Sequence, residues 1–377
     1  MKYISFVLLI FAGTYITGCS TVTCCNQADA KVTPLKTPII TKPDITIIAV
    51  GDIMLGTNFP DDRLAINDGA ELLTTITPIL KAADITFGNL EGVLMEGGTA
   101  AKKCKRSSSC YVFRSPPHYA GYLKKAGFDI LSLANNHARD FGEEGRTATM
   151  AALNAAGLLH SGRTGDIARW QVKGTSVALI AFAPFGGSHD LLDIPQAQKI
   201  IKNEVLRSDI VLISIHAGAE GNNVLRIPFK HEVFYGENRG DVVEFSHAAI
   251  DAGADLVIGH GPHVPRALEL YKNRLIAYSL GNFSTYQGIN IRGENGLAPV
   301  LAVTLSATGQ LRKGEIISAR QQRPQGVLLD NSQSAAKLIA KLTLLDFPAT
   351  PLIFTQDYKF YPKAQDLGVK HESLLTQ

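Results

Sequence analysis

ITIIAVGDIMLG, residues 45–56, settles the fold class. Its first six residues, Ile45 to Val50, are almost all β-branched and read as a strand. The run stops at Gly51-Asp52, and in α/β sheets ligands bind in crevices at the carboxyl ends of strands. Working outward, Phe128 to Leu133, Val177 to Phe182, Ile210 to Ile215 and Leu256 to Ile258 are short runs of the same kind. Between them lie the helix-period stretches Gly69 to Ala83, Glu143 to Ala156, Gln196 to Arg207 and Val242 to Ala252. Such alternation is an α/β signature and predicts one mixed sheet, or two stacked sheets, with helices outside. Pro299 to Leu305 and Leu311 to Ser318, joined by Ala307-Thr308-Gly309-Gln310, read as an antiparallel hairpin. A final helix, about Ser332 to Leu344, leads to an irregular tail.

The chain has 377 residues, 45% hydrophobic and 19% charged. That is enough for two average domains or one large α/β domain with additions, and it excludes wholesale disorder. With 37 Lys and Arg against 34 Asp and Glu, the net charge of +3 is too small for the electrostatic footprint of a nucleic-acid binder. No nucleic acid is expected among the partners.

The amino terminus reads as an address. The apolar run Tyr3 to Ile16 behind Lys2 is shorter than the roughly 20 residues needed to span a bilayer and fits a secretory signal. Its end, Ile16-Thr17-Gly18-Cys19, resembles a bacterial lipobox, in which Cys19 is acylated and becomes the new amino terminus. The alternatives are an uncleaved anchor or a plain secretory signal. Residues 1–18 are thus expected to be a lipoprotein signal peptide and 19–43, rich in Thr, Pro, Lys, Asn and Gln, a flexible tether. The chain would be lipid-anchored in the cell envelope and extracytoplasmic, and Ser20 after the Cys would suggest the outer membrane if the bacterium has two membranes. In an oxidising compartment Cys104 and Cys110, which enclose a short polar loop, are expected to form a disulfide rather than remain free thiols.

Five places behind apolar runs carry chemistry-bearing residues: Gly51-Asp52, Gly88-Asn89-Leu90-Glu91, Asn135-Asn136-His137-Ala138-Arg139-Asp140, His216-Ala217-Gly218-Ala219-Glu220 and Gly259-His260-Gly261-Pro262-His263. Alone, each Asp or Asn is more often a turn former or helix cap, and a lone His an ordinary polar residue. Repetition at the same edge of the sheet changes that weighing. Carboxylates, an amide and imidazoles together suit one or two divalent ions such as Mn, Fe or Zn better than Ca.

The series GDIMLG, GNLEG, LANNHARDFG, HAGAE, GADLVIGHGPHV and YSLGNF resembles the bacterial capsule synthesis protein CapA family, PGA_cap, of poly-γ-glutamate biosynthesis, over about Asp44 to Ser284. That family is similar to calcineurin-like metallophosphoesterases. The resemblance implies a four-layer αββα sandwich over residues 44–325 with the metal site at the carboxyl ends of strands, and a carboxyl-terminal helix and tail, 326–377, packed on it. It implies Asp52, Glu91, Asn136, His216, His260 and His263 as metal ligands, with Met54 where the superfamily has a His. It implies His137 as the proton donor to a leaving group, oriented by Asp140. Arg114 is a candidate catalytic and substrate-binding group for a phosphate or carboxylate, against a surface ion pair, and Arg266 is a weaker candidate of the same type.

No Gly-x-Ser-x-Gly elbow, Walker loop or Gly-x-Gly-x-x-Gly opening a helix is present in the sequence. Two principal readings follow. One is a lipid-anchored, metal-dependent, phosphatase-like hydrolase acting on an anionic envelope polymer or its precursor. The other is a non-catalytic polymer-binding component that works with poly-γ-glutamate synthesis and export proteins. A surface adhesion protein using the fold as a scaffold is a third.

Overall fold

The computed structural model describes residues 42–102 and 111–363. Cys19, the signal peptide, nearly all of the tether and the Cys104–Cys110 pair lie outside the described residues. Among the described residues no helix is long and apolar enough to cross a membrane.

Strand Ile45–Met54 lies at the middle of the first sheet. On one side Ile85–Leu90, Ile130–Ser132 and Leu159–Ser161 follow it in parallel. On the other side Val300–Leu305 and Leu311–Ile317 run antiparallel, as the expected hairpin. The second sheet runs His189–Asp190, Thr175–Ala183, Ile210–His216, Leu256–His260, Arg274–Ala277 and Leu268–Tyr271, with the central pairs parallel.

Alternation along the strands explains the layering, because successive side chains leave a strand on opposite faces. Ile45, Ile47 and Ala49 pack with Val177, Leu179, Ile210 and Leu212 in the core between the sheets. Ile48 and Val50 face the other way, against Leu123 and Leu153 of helices Tyr119–Ala126 and Gly142–Ala155. Val211, Ile213 and Ile215 likewise face Ala197, Ile201, Phe245 and Ala249 of helices Ile194–Val205 and Val242–Asp251. The result is the four-layer αββα sandwich. Each of the buried Val, Leu, Ile and Phe side chains contributes roughly 1.5–3 kcal/mol, so a one-residue slip in any central strand would exchange two cores and is excluded.

The structure corrects three expectations. Gly69 to Ala83 is not one helix: only Thr77–Leu80 is helical, with turns before it. Pro78 lacks an N–H and is tolerated only in the first turn, and the β-branched Thr74-Thr75-Ile76 disfavours helix ahead of it. Helix Tyr119–Ala126 was not anticipated; it starts behind Pro116-Pro117 and ends at Gly127 in the left-handed conformation. Nor are residues 347–363 of the tail irregular. After helix Ser334–Asp346, strands Leu352–Phe354 and Lys359–Pro362 extend the first sheet beyond Leu311–Ile317, so residue 325 marks no seam in the core.

Candidate metal centre

Both sheets deliver their polar residues to one edge. Asp52 pairs with Asn89 on one neighbouring strand and Asn282 on the other, and His216 pairs with His260 in the second sheet. Two glycines make this edge possible. A Cβ at Gly51 would stand 2.0 Å from the Gly281 carbonyl oxygen, and one at Gly259 would stand 2.1 Å from that of Tyr278. Each glycine directly precedes a site residue, where a neighbouring backbone passes too close for any side chain.

Asp52, Glu91 and His263 bring one ligand atom each within 4.8 Å of one another and could hold a metal ion. His263 Nδ1 lies 2.9 Å from Asp52 Oδ2, and His216 Nδ1 lies 3.5 Å from Glu91 Oε1. Asn89 Nδ2 donates to Asp52 Oδ1 at 2.9 Å and stands 3.3 Å from His216 Nδ1. His263 adopts a left-handed φ of 59°, a conformation that costs a non-glycine residue roughly 1–3 kcal/mol. It is held there because the Asn282 and Asn295 amides both donate to its carbonyl. His260 points its Nε2 at the Val50 carbonyl, 3.1 Å away, and stands outside the tight three-residue set, as His216 does.

A second observation favours a cation site over an ordinary polar core. Both Glu91 oxygens, Asn136 Oδ1, His216 Nε2 and His260 Nδ1 are buried and have no hydrogen-bond partner among the described residues. An ionised carboxylate left this way costs several kcal/mol unless something neutralises it. Burial and the nearby Asp52 charge push the Glu91 carboxyl well above its ordinary range. Asp52 behaves oppositely: burial alone would raise it, but the hydrogen bond and charge of His263, with His216 and His260, hold it at about 2. Burial alone would lower His263, yet Glu91, the Asp52 hydrogen bond and Glu220 push it up to about 10. Burial depresses His216 strongly and His260 less so, which keeps both imidazoles neutral with a lone pair to offer. Two acidic groups beside neutral imidazoles and orphaned oxygens are the donor set of a borderline divalent cation.

His137 stands beside this set through an amide chain. Asn135 Nδ2 donates to Asn89 Oδ1 at 3.1 Å, and Asn135 Oδ1 accepts from the His137 backbone N–H at 3.0 Å. Asp140 does orient His137: its Oδ2 lies 2.8 Å from Nδ1, and the same oxygen accepts the Phe113 N–H at 2.7 Å. The Phe113 ring lies against the imidazole, centroids 4.4 Å apart. Lys102 Nζ sits 3.3 Å from Asp140 Oδ1. Burial lowers the His137 pKa, with Asp140 opposing and Lys102 assisting, so the ring is neutral at physiological pH.

Neither expected substrate arginine reaches the cluster. Arg266 is fully buried, with its fork on Glu232 at 2.7 and 2.8 Å and Nε on the Val224 carbonyl, so it braces a loop and has nothing to offer a ligand. Arg114 is spent on Asn58 Oδ1 and the Gly97 carbonyl and lies over the Phe59 and Phe141 rings. It is a loop clamp, since every one of those contacts would have to break before it met a substrate. Conversely, sequence reasoning gave no role to Asn89, Asn135, Lys102 or Asn295. Asn89 and Asn135 lie inside motifs already singled out; Lys102 and Asn295 carry no local signal.

Comparison with known proteins gives a concordant result. The family model for the bacterial capsule synthesis protein PGA_cap matches residues 46–287. The capsule biosynthesis protein CapA of Bacillus anthracis is 29% identical over 266 residues, covering 65% of this chain and 60% of that protein. The PGA biosynthesis protein CapA of Bacillus subtilis is 28% identical over 257 residues, covering 63% of each. A probable polyglutamine synthesis accessory protein of Mycobacterium tuberculosis is 30% identical over 275 residues, covering 64% of this chain and 67% of that protein. The match thus spans under two thirds of the length of the two CapA relatives. Among solved structures, a calcineurin-like phosphoesterase from Bacillus subtilis aligns with a TM-score of 0.42 at 16% identity, covering 73% of this chain and 91% of that chain. A putative 5'-nucleotidase from Staphylococcus aureus aligns with a TM-score of 0.42 at 15% identity, covering 79% of this chain and 58% of that one.

Proposed function

Since the chain belongs to the bacterial capsule synthesis protein family PGA_cap, we propose that it is a lipid-anchored envelope protein of capsule or poly-γ-glutamate biosynthesis, acting as a metal-dependent, phosphatase-like hydrolase on an anionic polymer or its precursor. The observation that carries the hydrolase reading is the buried Glu91 carboxylate, unpartnered beside Asp52 and His263. These three residues, with His216 and Asn136, would hold one or two divalent ions. Such an ion supplies a lowered pKa for bound water and polarisation of the scissile oxygen.

The rest of the chemistry belongs to the chain. Asp140 fixes the His137 ring through Nδ1, leaving Nε2 without a partner among the described residues. Because His137 stays neutral at rest, it would accept the proton given up by the attacking water and pass it to a leaving oxygen or nitrogen, which departs poorly as an anion. The Phe113 ring excludes water from one face of the imidazole. Asn89 keeps Asp52 and His216 in register with each other.

A second reading, a non-catalytic polymer-binding component of a synthesis or export complex, is favoured by one residue. Met54, where the metallophosphoesterase pattern has His, is fully buried and offers only a thioether. Metal analysis of the purified full chain, then turnover of a chromogenic phosphoester panel and of poly-γ-glutamate, separates the two. The hydrolase reading expects bound metal and turnover, both lost in His216→Ala with helical content retained. Bound metal with no turnover, together with affinity for the polymer, would leave the binding component.

A further inference from the structure

Among the described residues, Arg239 is an arginine beside the cluster whose role the sequence did not signal. It lies on the segment between strands Ile210–His216 and Leu256–His260, just behind the short strand Glu237–Asn238. Its side chain is only 3% exposed. The guanidinium carbon sits over two rings, 5.0 Å from the Phe185 centroid and 5.4 Å from that of Phe234. Phe185 in turn packs edge-on to His216, centroids 6.0 Å apart. Glu237 takes one edge of the fork, with its Oε2 at 3.1 Å from Nε and 2.9 Å from Nη2.

The other edge is not used in the same way. Nη1 is buried and makes no hydrogen bond among the described residues. Glu220 Oε1 stands 3.0 Å from it, but off the N–H direction, and that oxygen is itself buried and unpartnered. The second Glu220 oxygen is 3.8 Å from His263 Nε2. Glu220 therefore spans the gap between the arginine fork and the metal-side imidazole without completing a hydrogen bond to either. Arg266 shows the contrast within the same chain, because there the carboxylate of Glu232 meets both fork nitrogens in line, at 2.7 and 2.8 Å. A guanidinium locked by aromatic faces and one carboxylate, with its remaining N–H edge toward a cluster and a loosely engaged carboxylate in the way, is arranged for an oxyanion.

We propose that Arg239 is the oxyanion-binding group of this site, taking a phosphate or carboxylate of the incoming molecule, and that Glu220 occupies the same position until that anion displaces it. This rests on the reading above only for which molecule carries the anion. The binding itself involves no turnover and no bond is made or broken.

The test uses the full chain in detergent, stripped of metal, titrated calorimetrically with inorganic phosphate and separately with glutarate. Glu220→Gln removes the competitor and should tighten binding of at least one anion by about tenfold, the scale of one charge-assisted hydrogen bond. In that background Arg239→Gln should lose the gain, while Arg239→Lys, which keeps the charge without the fork, should keep part of it. The anion that binds tighter identifies the phosphate or the carboxylate as the natural group. Affinities unchanged by Arg239→Gln, or unchanged by Glu220→Gln, overturn the proposal. Circular dichroism on Arg239→Lys guards against misfolding as the cause. Turnover by the metal-loaded chain without Arg239-dependent anion binding sinks this inference alone. Arg239-dependent binding without turnover sinks the hydrolase reading and leaves the anion site.

Discussion

At the amino ends of the parallel strands, Asp84, Asp129, Asp209 and Asp255 each stand one residue ahead of a strand. Each accepts a backbone N–H from the neighbouring strand, at Thr46, Thr86, Ser176 and Val211 respectively, at 2.8–2.9 Å. Each returns its own N–H to the carbonyl of that same residue. At the carboxyl ends of the same strands Glu91, Asn136, His216 and His260 keep buried atoms with no hydrogen-bond partner among the described residues. Polar residue types at strand ends are common to both regions; only the completeness of their hydrogen bonding differs. A closed pair is a structural brace, and an open set of buried acceptors implies something still to be bound.

The largest expected break in this comparison is at Glu91. Glu91→Gln should abolish stoichiometric binding of divalent metal, measured by elemental analysis after dialysis. The metal-free protein should unfold at the same temperature or higher, because a neutral amide replaces a buried acid whose ionisation burial and Asp52 oppose. Full metal content in this variant would mean that Glu91 is only a buried acid.

Asp255 comes next and sharpens the other end through pH. Burial pushes its carboxyl up to about 6 from an ordinary 3.8, against the opposing Val211 hydrogen bond and Arg274 charge. Its favourable contribution is therefore complete below pH 3.8 and is lost as pH rises through about 6, leaving a deficit of about 3 kcal/mol in the neutral range. Unfolding free energies of the wild type and Asp255→Asn from urea titrations between pH 4 and 7 should shift in favour of the variant by an amount of that order. A gap independent of pH would show that the carboxyl titrates normally.

The smallest effect is expected at Asp209, which accepts from both the N–H and the hydroxyl of Ser176. Its ion pair with Lys42 is partly exposed and adds little. Asp209→Ala should cost about 1–2 kcal/mol in denaturant stability and leave metal affinity unchanged, as a brace far from the ligands would. A change in metal affinity would blur the distinction between the two ends.

Much of the site was legible before the fold. The pattern of an apolar run ended by Gly-Asp or Gly-His marks a strand terminus that another backbone approaches, and Gly51 and Gly259 occupy such places. Asp52, Glu91, His137, His216 and His263 could be named from their motifs, and they gather at one edge. The braces Asp84, Asp129, Asp209 and Asp255 went unremarked, since a residue ahead of an apolar run looks like any turn former. The two arginines favoured from sequence proved to be structural, while Arg239 was overlooked. Long side chains reach partners many residues away, and only those partners reveal whether a guanidinium is spent.

The sequence by itself determined the alternation of strands and helices, the two-residue periodicity that sorts side chains between the cores, and the residue types presented at each strand end, because these depend on neighbours along the chain. Only the tertiary structure decided which acceptors find donors. That pairing depends on contacts such as Asp52 with His263 and Arg266 with Glu232, which link residues from different strands and loops.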